Sequence, residues 1–357
     1  MCRRYLYLLA TDKKTGFLAG IFKIFLFILS LIYGLVVMIL SFFYLIKPYK
    51  PNCRIISIGN ITLGGTGKTS LVESLAKFLR NRGRRVAVLS RGYKRKVTNY
   101  QSPIINYQTM GDEAYMLSKN LVNIPVIVDE DRVRAVKKAI GDYQVDTVIL
   151  DDGFQQWRIK KDLDIVTIDA TNPWGNLRLL PRGILREPLS SLRRAGVFVL
   201  TKANLHPDNQ RTRDILKSIN PDALIVEAIH KPVGFYKLGL PQDTFMSSKE
   251  LSNKPVSLVS GIADPESFEE LIKSLGINIG LVYRFPDHHI YTTQDLNKIK
   301  SDSEQNGINI IITTEKDSVR FPAMDGGLLD IMECFVLRIE LEISQNEIFN
   351  RRIYSLY

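Results

Sequence analysis

The stretch ITLGGTGKTS, Ile61 to Ser70, constrains the fold more than any other part of the chain. Gly67, Lys68 and Thr69 fill the last three places of the phosphate-loop pattern G-x-x-x-x-G-K-[ST], while Thr62 stands where its first glycine belongs. The flanks supply the context such a loop needs. Arg54 to Ile58 (RIISI) is a short apolar run that reads as a buried strand. Leu71, Val72, Leu75, Ala76 and Leu79 recur at helical spacing after the loop. Thr62, Leu63, Gly64, Gly65, Thr66, Gly67, Lys68, Thr69 and Ser70 are therefore the candidate nucleotide-binding residues. The glycines let backbone N–H groups approach phosphate oxygens ahead of a helix N-terminus. Lys68 is placed to neutralise β- and γ-phosphate charge, and the Thr69 hydroxyl to reach Mg²⁺.

Three further details narrow the nucleotide chemistry. GGTGKT resembles the doubled-glycine loop of the partition ATPases, but their signature lysine position is taken here by Leu63, which cannot reach a phosphate. Asp151 and Asp152 close the apolar run VDTVIL, as a metal-binding pair at a strand end should, and join Thr69 as candidate Mg²⁺ ligands. Thr201-Lys202-Ala203-Asn204 is reminiscent of a guanine-reading loop, yet Asn204 lacks the carboxylate that would accept from two ring donors. ATP is favoured over GTP.

Strand-like runs at 86–89, 126–128, 145–150, 165–168 and 197–200 alternate with helical stretches such as 131–140, which implies an α/β fold with a parallel sheet covered by helices. A second series, with strands at 256–259, 281–283 and 308–313 and helices at 265–275 and 292–300, marks a smaller α/β domain. The expected organisation is an N-terminal apolar helix in 1–50 and a phosphate-loop core over 51–228, to which 344–357 return. A β-strand linker over 229–250 and 331–343 would join it to the smaller domain at 251–330.

Ile24 to Ile46 carries no charge over 23 residues, enough to cross a hydrocarbon core of ~30 Å. Basic residues flank it on both sides, so it either spans the bilayer or lies partly in the cytoplasmic leaflet against acidic headgroups. The formal charge of +11 agrees with an anionic partner: nucleic acid, a phosphorylated substrate or acidic lipid. No basic helix or aromatic platform suits nucleic acid, and no protein partner is predicted. The three cysteines follow no metal or disulfide spacing. Asp112, by itself, reads as a helix N-cap, and His288 as an ordinary loop histidine.

The series SIGNITLGGTGKT (57–69), LSRGY (89–93), GDEA (111–114), LDDGFQ (150–155), NLRLLPRGILREP (176–188), LTKAN (200–204), FPDHH (285–289) and TTEKDSVRF (313–321) resembles the tetraacyldisaccharide 4′-kinases of lipid A biosynthesis. That family carries threonine at the first loop position. The resemblance implies transfer of the ATP γ-phosphoryl group, with Mg²⁺, to the 4′-hydroxyl of a tetraacylated glucosamine disaccharide 1-phosphate. It implies Asp112 as general base, His288 as its partner and Lys68 as the third catalytic residue, with residues from two domains brought together. Membrane lipids are implied as the setting, at the cytoplasmic face of a Gram-negative inner membrane. Arg91, Arg178, Arg182 and Arg186 are candidates for the substrate's 1-phosphate and sugar face. One departure is Gln156, where members usually carry histidine. The alternative is a membrane-tethered regulatory ATPase or GTPase, against which Leu63 and Asn204 argue.

Overall fold

The computed structural model describes residues 8–92, 107–206, 208–240, 245–252, 254–322 and 332–357. Tyr93 of the LSRGY stretch lies outside them. The chain forms two compact units: Met1–Arg91, Leu121–His230 and Leu341–Tyr357 make the first, and Gly92–Asn120 with Lys231–Glu340 the second.

In the first unit the strands are β1 (Arg54–Gly59), β2 (Val86–Ser90), β3 (Val126–Val128), β4 (Thr147–Asp151), β5 (Leu163–Asp169), β6 (Val197–Thr201) and the start of β7 (Leu224–Lys237). Their order is β3-β2-β4-β1-β5-β6-β7, and the registered pairs run parallel. Both faces carry helices, so β1, β2 and β4 read as unbroken apolar runs with almost every residue buried. Ile55, Leu89, Val136 and Val148 belong to the core on one side, and Phe154, Val166, Phe198 and Leu216 to another cluster. β1 sits between β4 and β5, with its chain neighbour β2 beyond β4. That reversal opens a crevice at the carboxyl ends of the strands, where phosphate loops belong.

The second unit holds the rest of β7 with β8 (Val256–Ser260), β9 (Ile279–Arg284), β10 (Ile310–Thr314) and β11 (Glu333–Ile343), in the order β7-β11-β10-β8-β9. Pairs β11–β10, β10–β8 and β8–β9 are parallel. Leu258, Phe268, Ile272, Ile312 and Phe335 form its main core. The chain leaves the first unit within β7 and returns within β11. β7 is one strand from Leu224 to Lys237 that runs across the boundary expected at 228–229 between core and linker. Pro232 has no N–H to donate and Gly234 no side chain to pack, yet the backbone stays extended through both.

The helix Asp112–Asn120 differs from the sequence expectation, which left it in the core domain. It belongs to the second unit. Glu113 pairs with Lys316, and the Asn120 side-chain amide donates to Glu315 at 3.3 Å. These polar partners lie about two hundred positions along the chain, and no local periodicity reveals them.

Candidate active site

The phosphate loop follows β1 directly. Gly59 ends the strand against the backbone of Phe154: a Cβ there would stand 2.6 Å from the Phe154 amide nitrogen. The loop then turns at Gly64 (φ 119°) and Gly67 (φ 74°), both in backbone conformations that favour glycine. Thr62 does not have a positive φ, so a side chain is tolerated where the general pattern has glycine. Instead Thr62 pairs with Leu185, and the Leu63 amide donates to the Ile184 carbonyl at 2.8 Å. The Thr66 hydroxyl is buried against that of Thr167, 2.7 Å away, and the Thr66 carbonyl accepts from the Thr201 hydroxyl at 3.2 Å. Thr66 thus anchors the loop to β5 through its side chain and to β6 through its carbonyl, leaving its backbone N–H for a phosphate.

Lys68 and Thr69 open the helix Lys68–Asn81, with Gly67 as its left-handed cap. Lys68 Nζ is 3.5 Å from Asp152 Oδ1. Arg186 grips the same carboxylate from the other side, its Nη1 at 3.0 and 2.8 Å from the two oxygens. Burial pushes the Asp152 carboxyl up, but Lys68 and Arg186 more than reverse this and hold it below its ordinary value. Asp151 is buried at the end of β4, where its Oδ2 accepts from the Ser90 hydroxyl at 3.2 Å. Behind it, Arg132 donates to the Asp151 carbonyl at 3.1 Å. Burial lowers the Arg132 pKa to about 10 even though Asp151 and Asp152 favour its charge. Against Gly67 lies His230, its Nε2 only 3.1 Å from the point a Cβ would occupy. Burial, with Lys202 nearby, keeps this imidazole on the neutral side.

A hydroxyl and two carboxylates at the carboxyl end of a parallel sheet are the hard oxygen donors Mg²⁺ prefers. Among the described residues no cluster of three or more His, Cys, Asp or Glu could hold an ion alone. An ion here would complete its shell with phosphate oxygens and water, which fits a phosphate-loop site.

The second cluster lies wholly in the second unit. Asp112 is buried, and its Oδ2 is 2.5 Å from His288 Nδ1. Its other oxygen accepts from the Glu113 amide at 3.0 Å; Asp112 is the first residue of its helix, so this contact to the adjacent amide is not the N-cap bond expected from the sequence. Burial raises the Asp112 pKa, while His288, Arg320 and Lys316 lower it; the net position is below the ordinary carboxylate value. His288 has φ 60°, uncommon for a residue with a side chain. Its amide donates to the Gly261 carbonyl at 3.0 Å, which holds the loop in that conformation. The expectation that Asp112 and His288 come from two domains is thus corrected: 176 positions apart, they sit in one unit because 107–120 packs there.

The arginine candidates divide. Arg182 is bound to Asp12 at 2.8 Å, and Arg186 is committed to Asp152. The Arg178 guanidinium lies over the Phe27 ring of the apolar helix, 5.1 Å from its centroid, and Arg91 is exposed. Ser90, Arg132 and His230 carry no local sequence signal, and Lys316, Asp317 and Arg320 stand within TTEKDSVRF with no role that the spacing assigns.

Comparison with known proteins agrees with this geometry. Residues 22–357 match the family model for tetraacyldisaccharide-1-P 4′-kinase. The chain belongs to the tetraacyldisaccharide 4′-kinase family. The tetraacyldisaccharide 4′-kinase of Elusimicrobium minutum is 37% identical over 354 residues, covering 94% of this chain and 91% of its own. That of Halothermothrix orenii is 39% identical over 326 residues, covering 85% of each. Among solved structures, LpxK from Aquifex aeolicus in complex with ATP superposes with a TM-score of 0.74 at 28% identity, covering 92% of this chain and 97% of that one. The protein is a kinase with an alcohol acceptor, and the regulatory-NTPase alternative is set aside.

Proposed function

We infer that this tetraacyldisaccharide 4′-kinase takes the 4′-hydroxyl proton with Asp112, aligned by His288, and holds the phosphates of ATP with the loop Thr62–Ser70. The buried Asp112–His288 contact carries the reading. A sugar hydroxyl is a weak acid, and a carboxylate fixed within reach can receive its proton as the new P–O bond forms. The proton passes to Asp112, the sugar oxygen bonds to the γ-phosphorus, and the β–γ bridging P–O bond breaks to release ADP. With its pKa held low, Asp112 is a weak base, so its contribution is orientation and late proton acceptance more than driving force. Lys68 neutralises charge on the departing phosphate, and backbone amides at Gly64, Gly65 and Gly67 contact the phosphate oxygens. Mg²⁺, when bound, neutralises the β- and γ-phosphate oxygens. Thr69 and the aspartate pair would hold it, Asp152 while also accepting from Arg186.

The helix Phe17–Ile46 is long and apolar enough to cross a membrane. Its buried residues Ala19, Leu26, Ser30 and Val37 form one stripe, while Phe17, Phe25, Leu31, Phe42 and Phe43 are exposed. Ala19 and Leu26 cluster with Leu9, and the middle of the helix rests on the segment after β5. Tyr33 donates to the Arg186 carbonyl at 2.9 Å, and a Cβ on Gly34 would meet Leu179 at 2.7 Å. A helix that packs on one side between Ala19 and Val37 suits one leaflet better than a free span, with its exposed face among acyl chains. We therefore place the enzyme on the cytoplasmic face of the inner membrane, where a four-chain substrate stays in the bilayer and the basic surface faces acidic lipid. Incubation with γ-labelled ATP, Mg²⁺ and tetraacyldisaccharide 1-phosphate tests the whole reading. Label is expected in the lipid fraction at the 4′-position, and its absence would sink the proposal.

A further inference from the structure

Behind the Asp112–His288 contact lies a second buried carboxylate to which the transfer chemistry assigns nothing. Asp317 is fully buried. Its Oδ1 accepts from the Gly261 amide at 2.9 Å, the Tyr291 hydroxyl at 2.8 Å and Arg320 Nη2 at 2.8 Å. Its Oδ2 accepts from the Thr314 hydroxyl at 2.6 Å. A carboxylate with four donors is far more than a buried arginine needs for neutralisation, and three of them, Gly261, Arg320 and Tyr291, lead towards the dyad.

Gly261 is the first link. The same residue whose amide Asp317 holds presents its carbonyl to the His288 amide at 3.0 Å and to Arg320 Nη2 at 3.2 Å. A Cβ at Gly261 would stand 3.1 Å from Asp317 Oδ1, 3.1 Å from the Tyr291 hydroxyl and 3.2 Å from the Pro286 carbonyl. Arg320, itself buried, is the second link. It donates to the carbonyls of Lys316 at 2.8 Å and His289 at 3.3 Å, and its Nε lies 3.9 Å from Asp112 Oδ2. Tyr291 is the third: its ring contacts those of Phe285 and His289 at 5.0 Å, on the loop carrying His288.

We propose that Asp317 is the positioning residue of the dyad: it fixes Gly261, which sets the His288 backbone, and holds the Arg320 guanidinium so that it supports Asp112 without displacing His288. The charges around Asp112 make this control necessary. His288, Arg320 and Lys316 all face it, while Glu113 pairs with Lys316 and Asp287 lies 3.7 Å from His288 Nε2. Without the Asp317 charge, Arg320 is left with Asp112 as its nearest carboxylate. The guanidinium then draws Asp112 away from the imidazole and weakens it as a base.

The inference rests on Asp112 acting as the base. Asp317→Asn is therefore compared with Asp112→Asn, with Tyr291→Phe, which removes one donor and keeps the ring, and with Ser257→Ala. The last breaks a buried hydroxyl pair to Ser303, 2.7 Å long, in the same unit away from the dyad. Asp317→Asn is expected to lower kcat about tenfold, part of the ~10²–10⁴ a positioned base supplies, with the KM for ATP unchanged. Tyr291→Phe should act in the same direction more weakly, and it carries the test if Asp317→Asn does not fold. The downfield Nδ1 proton of His288, followed in histidine-labelled protein, should shift in both variants and stay in place in Ser257→Ala. Unchanged kcat and an unmoved His288 proton in Asp317→Asn and Tyr291→Phe would overturn the proposal. An equal loss of kcat in Ser257→Ala would overturn it too, since general loosening would then suffice. If Asp112→Asn turns over like the wild type, the reading of Asp112 fails instead.

Discussion

Gly59→Ala tests whether the phosphate loop and the aspartate pair are held by one close backbone contact. The added methyl would lie 2.6 Å from both the amide nitrogen and the Cβ of Phe154 and 3.1 Å from its Cα. Backbone cannot swing aside as a side-chain tip can, so β1 or the segment 151–154 must move by several tenths of an ångström. Overpacking of this kind costs about 2 kcal/mol, which in a unit of this size lowers Tm by about 4 to 8 °C. The same displacement carries Asp151 and Asp152 away from Lys68 and Thr69. Misplacement by about 1 Å costs roughly a hundredfold in rate, and a smaller shift here should cost about tenfold in kcat. Gly141→Ala is the control: nothing lies within 4 Å of its Cβ position inside the helix Arg132–Tyr143, so it should raise Tm slightly through helix propensity. Thermal unfolding and steady-state transfer to the lipid acceptor measure both effects. Wild-type kcat and Tm in Gly59→Ala would refute the reasoning.

Two further outcomes follow from named contacts. The Asp112 carboxyl is held below its ordinary value, so the stability it contributes is complete above about pH 4 and drains away as pH falls through the lower folded value. In urea unfolding from pH 3 to 6, the stability gap between wild type and Asp112→Asn should narrow on the acid side; a gap independent of pH counts against the assigned charge. Gly34→Leu should force the apolar helix off Leu179, lowering Tm in detergent by the equivalent of about 1 to 3 kcal/mol while flotation with vesicles persists. An unchanged Tm would show that the helix does not pack there.

The phosphate loop was legible in the sequence because its chemistry lies within ten consecutive residues, between a strand and a helix. Thr62 departs from the general loop pattern, and the backbone gives the physical reason it can: only Gly64 and Gly67 have positive φ in that stretch. The strand at 147–151 and its terminal aspartates were legible for the same local reason. Asp112 and His288 were not: as residues they read as a cap and a loop histidine, and only resemblance to a family joined them. Their contact depends on 107–120 packing in the second unit, through ion pairs that leave no periodic trace. Asp317 was hidden differently. Amid TEKD a carboxylate reads as surface charge, whereas it lies fully buried among four donors. The apolar helix was plain, but its uniform hydrophobicity concealed the packed stripe marked by Tyr33 and Gly34.

The central claim is that Asp112 and His288 act as one unit on the acceptor hydroxyl. A single-turnover measurement, with labelled ATP bound in advance and tetraacyldisaccharide 1-phosphate added, isolates transfer from product release. Asp112→Asn should slow transfer by about a hundredfold or more while ATP affinity stays the same, and adding His288→Gln to it should slow transfer little further. Transfer at the wild-type rate in Asp112→Asn, or losses that multiply fully in the double variant, would contradict the account.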